Sequence, residues 1–225
     1  MIYICEYDDS APAELLQQYA EHLPIPVYQG LAEGVKWKKY RERILAWLLF
    51  VYVVGYEKMK TLNIQRTALG KPYSAADSQF YFNISHCESA CACIISDVPC
   101  GVDIEKKFGL RESMIRKICH PDEYDILCTF SYEVQEMQLR ALWSLKESYV
   151  KMDGRGLGYG VDSVNLASLL PVISGRTDEK DGISYMAGTG NTYTFAGCEY
   201  KHMEIPVGVI SEKELMGEIE RKKRI

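Results

Sequence analysis

The chain has 225 residues, of which 47% are hydrophobic and 25% charged, and its formal net charge is −5. This is the composition of a globular protein with one large domain or two small ones, and it excludes disordered and fibrous chains. Because the charge balance is acidic, we expect no general binding to nucleic acid.

The predicted elements mix strands and helices along the whole chain. Alternating apolar residues predict strands, helical spacing predicts helices, and Gly or Pro marks the connections. Strands are predicted at residues 2–7, 80–84, 90–96, 98–104, 183–186, 192–198 and 205–210, and helical segments at 12–21, 36–56, 111–152 and 211–225. Turns are predicted at residues 70–72 and from Gly154 onwards.

Compartment and membrane signals point to a cytoplasmic protein. No Lys or Arg precedes Lys36, whereas a secretory signal begins with basic residues. The longest apolar run, 44–56, is shorter than the roughly 20 residues needed to span a bilayer, so we expect a buried helix and no membrane contact. Eight cysteines without an export signal indicate reduced thiols.

Four of these cysteines fall close together in the sequence, at 87, 91, 93 and 100. Zinc sites usually show paired cysteines separated by two residues, at two places in the chain. Because Cys91 and Cys93 are one residue apart in an apolar stretch, we interpret the cluster as small apolar strand residues rather than a metal site.

The segment G-V-D-I-E carries two carboxylates at strand spacing. Asp103 and Glu105 are two residues apart and project from the same face of a strand, with Val102 and Ile104 on the other face. Neighbouring carboxylates repel each other unless a cation lies between them, and Mg²⁺ is typically held by carboxylates together with substrate phosphates. The alternative is a solvated strand face.

The segment A-L-W-S-L-K-E-S-Y-V-K places Trp143, Glu147 and Lys151 four residues apart, on one stripe of a helix. A functional interpretation gives the same cleft a third carboxylate and a phosphate-binding ammonium group. The alternative is an exposed Glu147–Lys151 ion pair, which is common on helices. We expect Trp143 to anchor the helix in the core.

Polar and basic residues upstream suggest an anionic ligand. Ser85 and His86 end the segment F-N-I-S-H, and Lys71 lies in a Gly-Lys-Pro turn. A basic cluster at Lys36, Lys38, Lys39, Arg41 and Arg43 fits an anion site, but equally a charged helix flank.

The order of these segments is more specific than any one of them. From Gly70 to about Leu157, the chain closely resembles the 4′-phosphopantetheinyl transferases of the larger, monomeric type named after the surfactin-synthetase activator Sfp. The resemblance implies an α+β fold of two similar α/β halves related by a pseudo-two-fold axis, here residues 1–104 and 105–225. It also implies a monomer with coenzyme A bound between the halves.

The resemblance implies an activity and a set of site residues. Family members transfer the phosphopantetheine arm of coenzyme A to a serine of an acyl or peptidyl carrier protein and release adenosine 3′,5′-bisphosphate. The implied magnesium ligands are Asp103, Glu105 and Glu147, with Glu147 also the general base and Lys151 the contact to the transferring phosphate. The implied coenzyme A contacts are Lys71, Ser85, His86 and Arg43, and Arg43 is expected to act with one of Lys36, Lys38 or Lys39. Asp103 and Lys151 are also implied to lie in the coenzyme A site.

This chain departs from the family pattern at one position, and other functions stay open. Relatives can carry Ser or Thr just after the arginine, where this chain has Ile44.

We hypothesise that Lys106 and Lys107, directly after the strand with Asp103 and Glu105, contact the acidic carrier protein. The alternatives are a non-catalytic protein of the same fold that binds coenzyme A or a carrier, and another Mg²⁺-dependent nucleotide enzyme such as a kinase, for which neither a Walker loop nor a kinase signature is present.

Overall fold

A computed structural model of the chain describes residues 1–21, 23, 37–109, 111–156, 160–201 and 203–223. The strands are β1 Ile2–Glu6, β2 Ile64–Arg66, β3 Pro72–Ser74, β4 Tyr81–His86, β5 Ala90–Ser96, β6 Cys100–Lys106, β7 Thr177–Lys180, β8 Ile183–Thr189, β9 Tyr193–Glu199 and β10 Val207–Ser211. The α-helices are α1 Ala13–Ala20, α2 Trp37–Val54, α3 Tyr56–Thr61, α4 Glu112–Ile118, α5 Pro121–Leu127, α6 Tyr132–Asp153 and α7 Glu212–Lys223. The fold is therefore α+β, as predicted.

Two four-stranded sheets form the framework of the molecule. The first has the order β10-β1-β5-β4, with β10 parallel to β1 and the other pairs antiparallel. The second is antiparallel throughout, with the order β6-β9-β8-β7. Strands β2 and β3 form a separate two-stranded ribbon.

One long helix packs on each sheet. In α2 the residues from Ile44 to Val51 are all buried, and they pack against β1, β4 and β5. This is the buried helix that the apolar run predicts, although it stops at Gly55, whose φ of +86° is incompatible with a helix. Within the described residues, no helix is both long and apolar enough to cross a membrane.

Helix α6 packs on β6, β8 and β9 of the second sheet. It approaches β6 so closely at Gly101 that a Cβ placed there would lie 2.0 Å from the backbone oxygen of Ser148. The helix ends at Gly154, which adopts the left-handed conformation with a φ of +82°. The glycine at the start of G-V-D-I-E thus sets the distance between the strand and the helix that carry the candidate site.

The two sheets meet where β4 lies beside β6. The side-chain oxygen of Asn83 accepts a hydrogen bond from the backbone N–H of Val102 at 3.1 Å. This bond joins the F-N-I-S-H strand to the G-V-D-I-E strand. The polar ends of both motifs therefore lie at one junction.

Several predicted boundaries need correction. The helical segment 111–152 is three helices, because residues 119–120 and 128–131 interrupt it. The strand predicted from Val98 begins at Cys100, since Val98 and Pro99 belong to the turn after β5. The predicted division between residues 104 and 105 falls inside β6, and β10 returns to the first sheet.

Side-chain caps fix the starts of two helices. At the start of α5, the backbone N–H of Asp122 donates to the side chain of His120, and Glu123 accepts from the backbone N–H of His120 at 2.7 Å. Ser211 and Glu214 form the reciprocal bonds of a capping box at the start of α7.

The prediction of buried strand residues is confirmed for three of the four clustered cysteines. Cys91, Cys93 and Cys100 are buried strand residues, Cys87 is buried directly after β4, and all eight cysteines are free.

Candidate active site

The carboxylates of β6 lie in the interior at the junction of the two sheets. Val102 and Ile104 are fully buried in the apolar core on one face of the strand. On the other face, Asp103 is only 1% exposed and Glu105 is half-buried. The alternative of a solvated strand face is therefore wrong for Asp103, and the predicted alternation of faces is confirmed.

Helix α6 brings its predicted stripe against these carboxylates. Glu147 is 4% exposed, and Lys151 donates from Nζ to Asp103 Oδ1 at 2.6 Å. The same ammonium group donates to Ser85 Oγ at 2.8 Å, so it joins α6 to β4 and β6. Lys151 thus contacts Asp103 and Ser85, and the alternative of an exposed Glu147–Lys151 pair is wrong.

Trp143 lies at the margin of the second core rather than deep within it. Its side chain makes a hydrogen bond to Glu105 of β6, so one end of the α6 stripe lies against that strand. The expectation that Trp143 anchors the helix is met, and the contact with Glu105 adds a polar role to it.

The acidic cluster carries more negative charge than its neighbours compensate. Burial and the charges of Asp103 and Glu147 raise the pKa of Glu105 to about 7, and burial and Asp103 also raise the pKa of Glu147. Asp103 Oδ2 and Glu147 Oε1 are buried and have no hydrogen-bond partner among the described residues. Buried carboxylate oxygens usually accept a hydrogen bond, so these two are exceptions.

We tested whether these residues suit a divalent cation. No group of three His, Cys, Asp or Glu side chains in the described ranges is gathered tightly enough to form a metal site. The donor chemistry nevertheless fits, because unpartnered carboxylate oxygens and raised carboxyl pKa values mark a place where positive charge is missing.

A cleft of about 410 Å³ has a cationic lining. It is next to the acidic cluster along β4, because His86 lines the cleft and the adjacent Ser85 contacts Asp103 Oδ1 at 3.3 Å. Two of the predicted site residues, Arg43 of α2 and His86 of β4, line it. Arg66 of β2 lines it too, although the sequence analysis did not single it out. Burial and the nearby charge of Arg43 lower the pKa of Arg66. The apolar part of the lining consists of Ala46, Trp47, Pro72 and Ile84.

The other predicted basic residues lie elsewhere. Lys71 does not line the cleft; its ammonium group donates to the backbone oxygen of Met152 at 2.8 Å, near the end of α6. Lys38 forms an exposed ion pair with Glu88 at 3.2 Å, and Arg41 pairs with the buried Glu212. Lys36 lies outside the described residues.

The two lysines proposed to meet the carrier are at the surface. Lys106 donates to Glu88 at 2.8 Å, and Lys107 donates to the backbone oxygen of Asn191 at 3.1 Å. Both bonds are exposed, so both ammonium groups remain accessible to a partner.

A sequence profile of the 4′-phosphopantetheinyl transferase superfamily matches residues 99–183, which include β6 and α6. The predicted resemblance to the Sfp type of this superfamily is thus confirmed.

Curated relatives agree with this family. The chain is similar to a 4′-phosphopantetheinyl transferase of Bacillus subtilis, with 35% identity over 43% of each chain. It is also similar to 4′-phosphopantetheinyl transferase psf-1 of Bacillus pumilus, with 31% identity over 47% of this chain and 45% of the relative. For 4′-phosphopantetheinyl transferase gsp of Aneurinibacillus migulanus, the identity is 30% over 55% of this chain and 52% of the relative. The chain spans about half the length of each of these relatives.

Proposed function

We propose that this protein transfers the 4′-phosphopantetheine arm of coenzyme A to a serine of an acyl or peptidyl carrier protein and releases adenosine 3′,5′-bisphosphate. The observation that carries the proposal is the junction of an acidic cluster with unpartnered oxygens and a cationic cleft. Names of the curated relatives support the activity. We also propose that the two sheets, each with its long helix, are the pseudo-symmetric halves of a monomer.

The cleft suits the nucleotide end of coenzyme A. A nucleotide presents a flat base and phosphate groups, and the lining offers an apolar wall next to two guanidinium groups. Arg43 and Arg66 are the proposed phosphate contacts, with Ser85 and His86 at the edge towards the acidic cluster. Lys71 is proposed to support this site by holding the end of α6.

Mg²⁺ is the proposed metal, held by Asp103, Glu105 and Glu147. When bound, it supplies charge neutralisation at the pyrophosphate. Phosphoryl transfer depends mostly on positioning and electrostatic stabilisation, and the protein residues meet this requirement. Lys151, 28% exposed, is proposed to leave Asp103 for the oxygens of the reacting phosphate.

Glu147 is the proposed general base. A serine hydroxyl is a weak nucleophile at neutral pH, so a carboxylate that accepts its proton assists the attack. Burial and the charge of Asp103 raise the pKa of Glu147, which favours proton acceptance, and Mg²⁺ on the same carboxylate would lower that pKa again.

Intact-mass spectrometry of an apo carrier protein incubated with the enzyme, coenzyme A and Mg²⁺ tests the function. We expect the carrier to gain about 340 Da, the mass of one arm, and the gain to vanish with EDTA and with Glu147→Gln. Glu133→Gln is the matched control, since Glu133 is an exposed residue of the same helix. No gain with several unrelated carriers, together with retained coenzyme A binding, would support the non-catalytic binding protein instead.

The carrier surface is tested separately. Replacing Lys106 and Lys107 with Glu is expected to raise the KM for the carrier and to leave coenzyme A binding unchanged, because neither lysine lines the cleft. Lys106 is exposed and Lys107 is half-buried at the surface. Unchanged carrier kinetics would remove these two residues from the interface.

A further inference from the structure

Glu42 is a buried carboxylate beside the cleft that the proposed reaction does not use. Its side chain is 9% exposed, and its Oε2 lies 3.2 Å from Nδ1 of His86. It belongs to α2 and directly precedes Arg43, which lines the cleft together with His86. A carboxylate next to an anion-binding cleft is unfavourable on simple charge grounds, so its position calls for a physical reason.

The surrounding structure holds this part of α2 firmly. The hydroxyl of Tyr7 donates to the backbone oxygen of Glu42 at 3.3 Å. In the preceding residue, Arg41, one guanidinium nitrogen, Nη2, donates to both carboxylate oxygens of the buried Glu212, at 2.5 and 2.6 Å. The Glu42 carboxylate therefore faces His86 from a fixed helix and not from a mobile loop.

The free protein keeps His86 neutral. Burial first, and then the positive charges of Arg43, Lys151 and Lys39 in that order, lower its pKa to about 4. A neutral ring that donates Nδ1–H to Glu42 has an unprotonated Nε2, and Nε2 has no partner among the described residues. In this state, Nε2 cannot donate a hydrogen bond to a phosphate group.

We propose that Glu42 is a positioning residue that fixes the orientation of His86 through Nδ1–H and makes its Nε2 a proton donor to a phosphate group in the cleft. The proton comes from solvent, no covalent bond is broken, and the imidazolium then lies between a carboxylate and the ligand phosphate. The proposal rests on the proposed function in one respect, which is that the ligand is a phosphate group of coenzyme A.

The two explanations of Glu42 predict opposite effects of removing its charge. If Glu42 acts only as a nearby negative charge, Glu42→Gln strengthens anion binding. If Glu42 positions and charges His86, the same substitution weakens binding roughly tenfold, as expected for the loss of one charge-assisted hydrogen bond. The direction of the change therefore decides between them.

Isothermal titration calorimetry with adenosine 3′,5′-bisphosphate at pH 7.5, in two buffers of different ionisation enthalpy, measures both affinity and proton uptake. We expect the unaltered protein to take up protons on binding and Glu42→Gln to lose most of this uptake. His86→Asn should lose it too, and the double variant should lose nothing more. Glu88→Gln is the matched control, because it removes one exposed carboxylate from the same region. Tighter binding or unchanged uptake in Glu42→Gln overturns the proposal.

A second measurement needs no substitution at Glu42. In ¹⁵N spectra of the histidine rings, we expect the free protein to show His86 protonated at Nδ1 only and the complex to show both nitrogens protonated. An Nε2–H tautomer in the free protein contradicts the positioning role. If adenosine 3′,5′-bisphosphate does not bind at all, the proposed ligand is wrong, and the free-state tautomer still tests Glu42.

Discussion

Two lysines of helix α6, five residues apart, form buried ion pairs of opposite character. Lys146 pairs with Glu123 at 2.6 Å, with both side chains fully buried. Its ammonium group also donates to the backbone oxygen of Ile118, and both oxygens of Glu123 accept further backbone hydrogen bonds, from His120 and Leu166. This pair is closed, because every oxygen has a partner within the protein.

The pair between Lys151 and Asp103 is open. Lys151 is 28% exposed, and among the described residues only one oxygen of Asp103 has a partner. The neighbouring Glu147 also has an unpartnered oxygen there. A buried charge without full compensation costs stability, so a ligand that completes the open pair would offset that cost. We therefore interpret the closed pair as structural, and we propose that the open pair on the same helix is functional.

The largest expected effect is on the closed pair. Glu123→Ala leaves Lys146 charged and unpaired in the core and removes the acceptor of two backbone N–H groups. We expect a loss of about 3–5 kcal/mol of stability, measured by urea unfolding. Glu88→Ala, which removes two exposed pairs, with Lys38 and Lys106, should cost less than about 1 kcal/mol. Similar losses in the two variants would contradict the distinction.

Substitution beside the open pair is expected to change the rate of carrier modification more than the free energy of unfolding. Glu147→Gln is expected to lower the rate of carrier modification by about 10²–10³-fold, because a side chain at the reacting atoms is neutralised. Its free energy of unfolding should stay equal or rise, since a repelling buried charge disappears. A variant that loses activity and stability together would assign Glu147 a structural role. Glu133→Gln serves as the control for both measurements.

Gly101 tests the spacing on which the open pair depends. Gly101→Ala places a methyl group 2.0 Å from the backbone oxygen of Ser148, so β6 and α6 must separate. We expect a loss of about 2–3 kcal/mol in stability and a further loss of transfer activity. The control is Gly217→Ala in α7, where the added Cβ meets nothing within 4 Å and should be neutral or slightly stabilising. Equal effects at both glycines would show that the close approach does not matter.

The sequence predicted the parts of the site that depend on local periodicity. Strand alternation placed Asp103 and Glu105 on one face, and helical spacing placed Glu147 and Lys151 on one stripe. These patterns depend only on the residues along one element. The same holds for the turn predicted from Gly154, where α6 ends.

The sequence analysis missed what tertiary packing creates. Arg66 reaches the cleft from the β2–β3 ribbon, and Glu42 meets His86 across 44 positions of the chain. The sequence signal for Arg66 is a cation four residues before the glycine of the Gly-Lys-Pro turn. The contact between Lys151 and the buried Asp103 joins a helix to a strand 48 positions away, so no local pattern could predict it.

The smallest expected effect is the pH dependence of the acidic cluster. The folded-state pKa of Glu105 is about 7, above its ordinary value of 4.5, so its favourable contribution is complete below pH 4.5 and disappears as the pH rises through 7. With EDTA present, the Tm should therefore decline as the pH rises from 4.5 to 8, and Glu105→Gln should make this decline smaller by about 2–4 °C. The effect is small because solvent screens this half-buried group. Glu133→Gln should leave the decline unchanged.

Excess Mg²⁺ should raise the Tm of the unaltered protein at pH 8 and have little effect at pH 4.5, because protonated carboxyl groups bind cations weakly. A Mg²⁺ effect of equal size at both pH values would mean that the ion binds elsewhere, and the open pair would then be completed by the phosphate ligand alone.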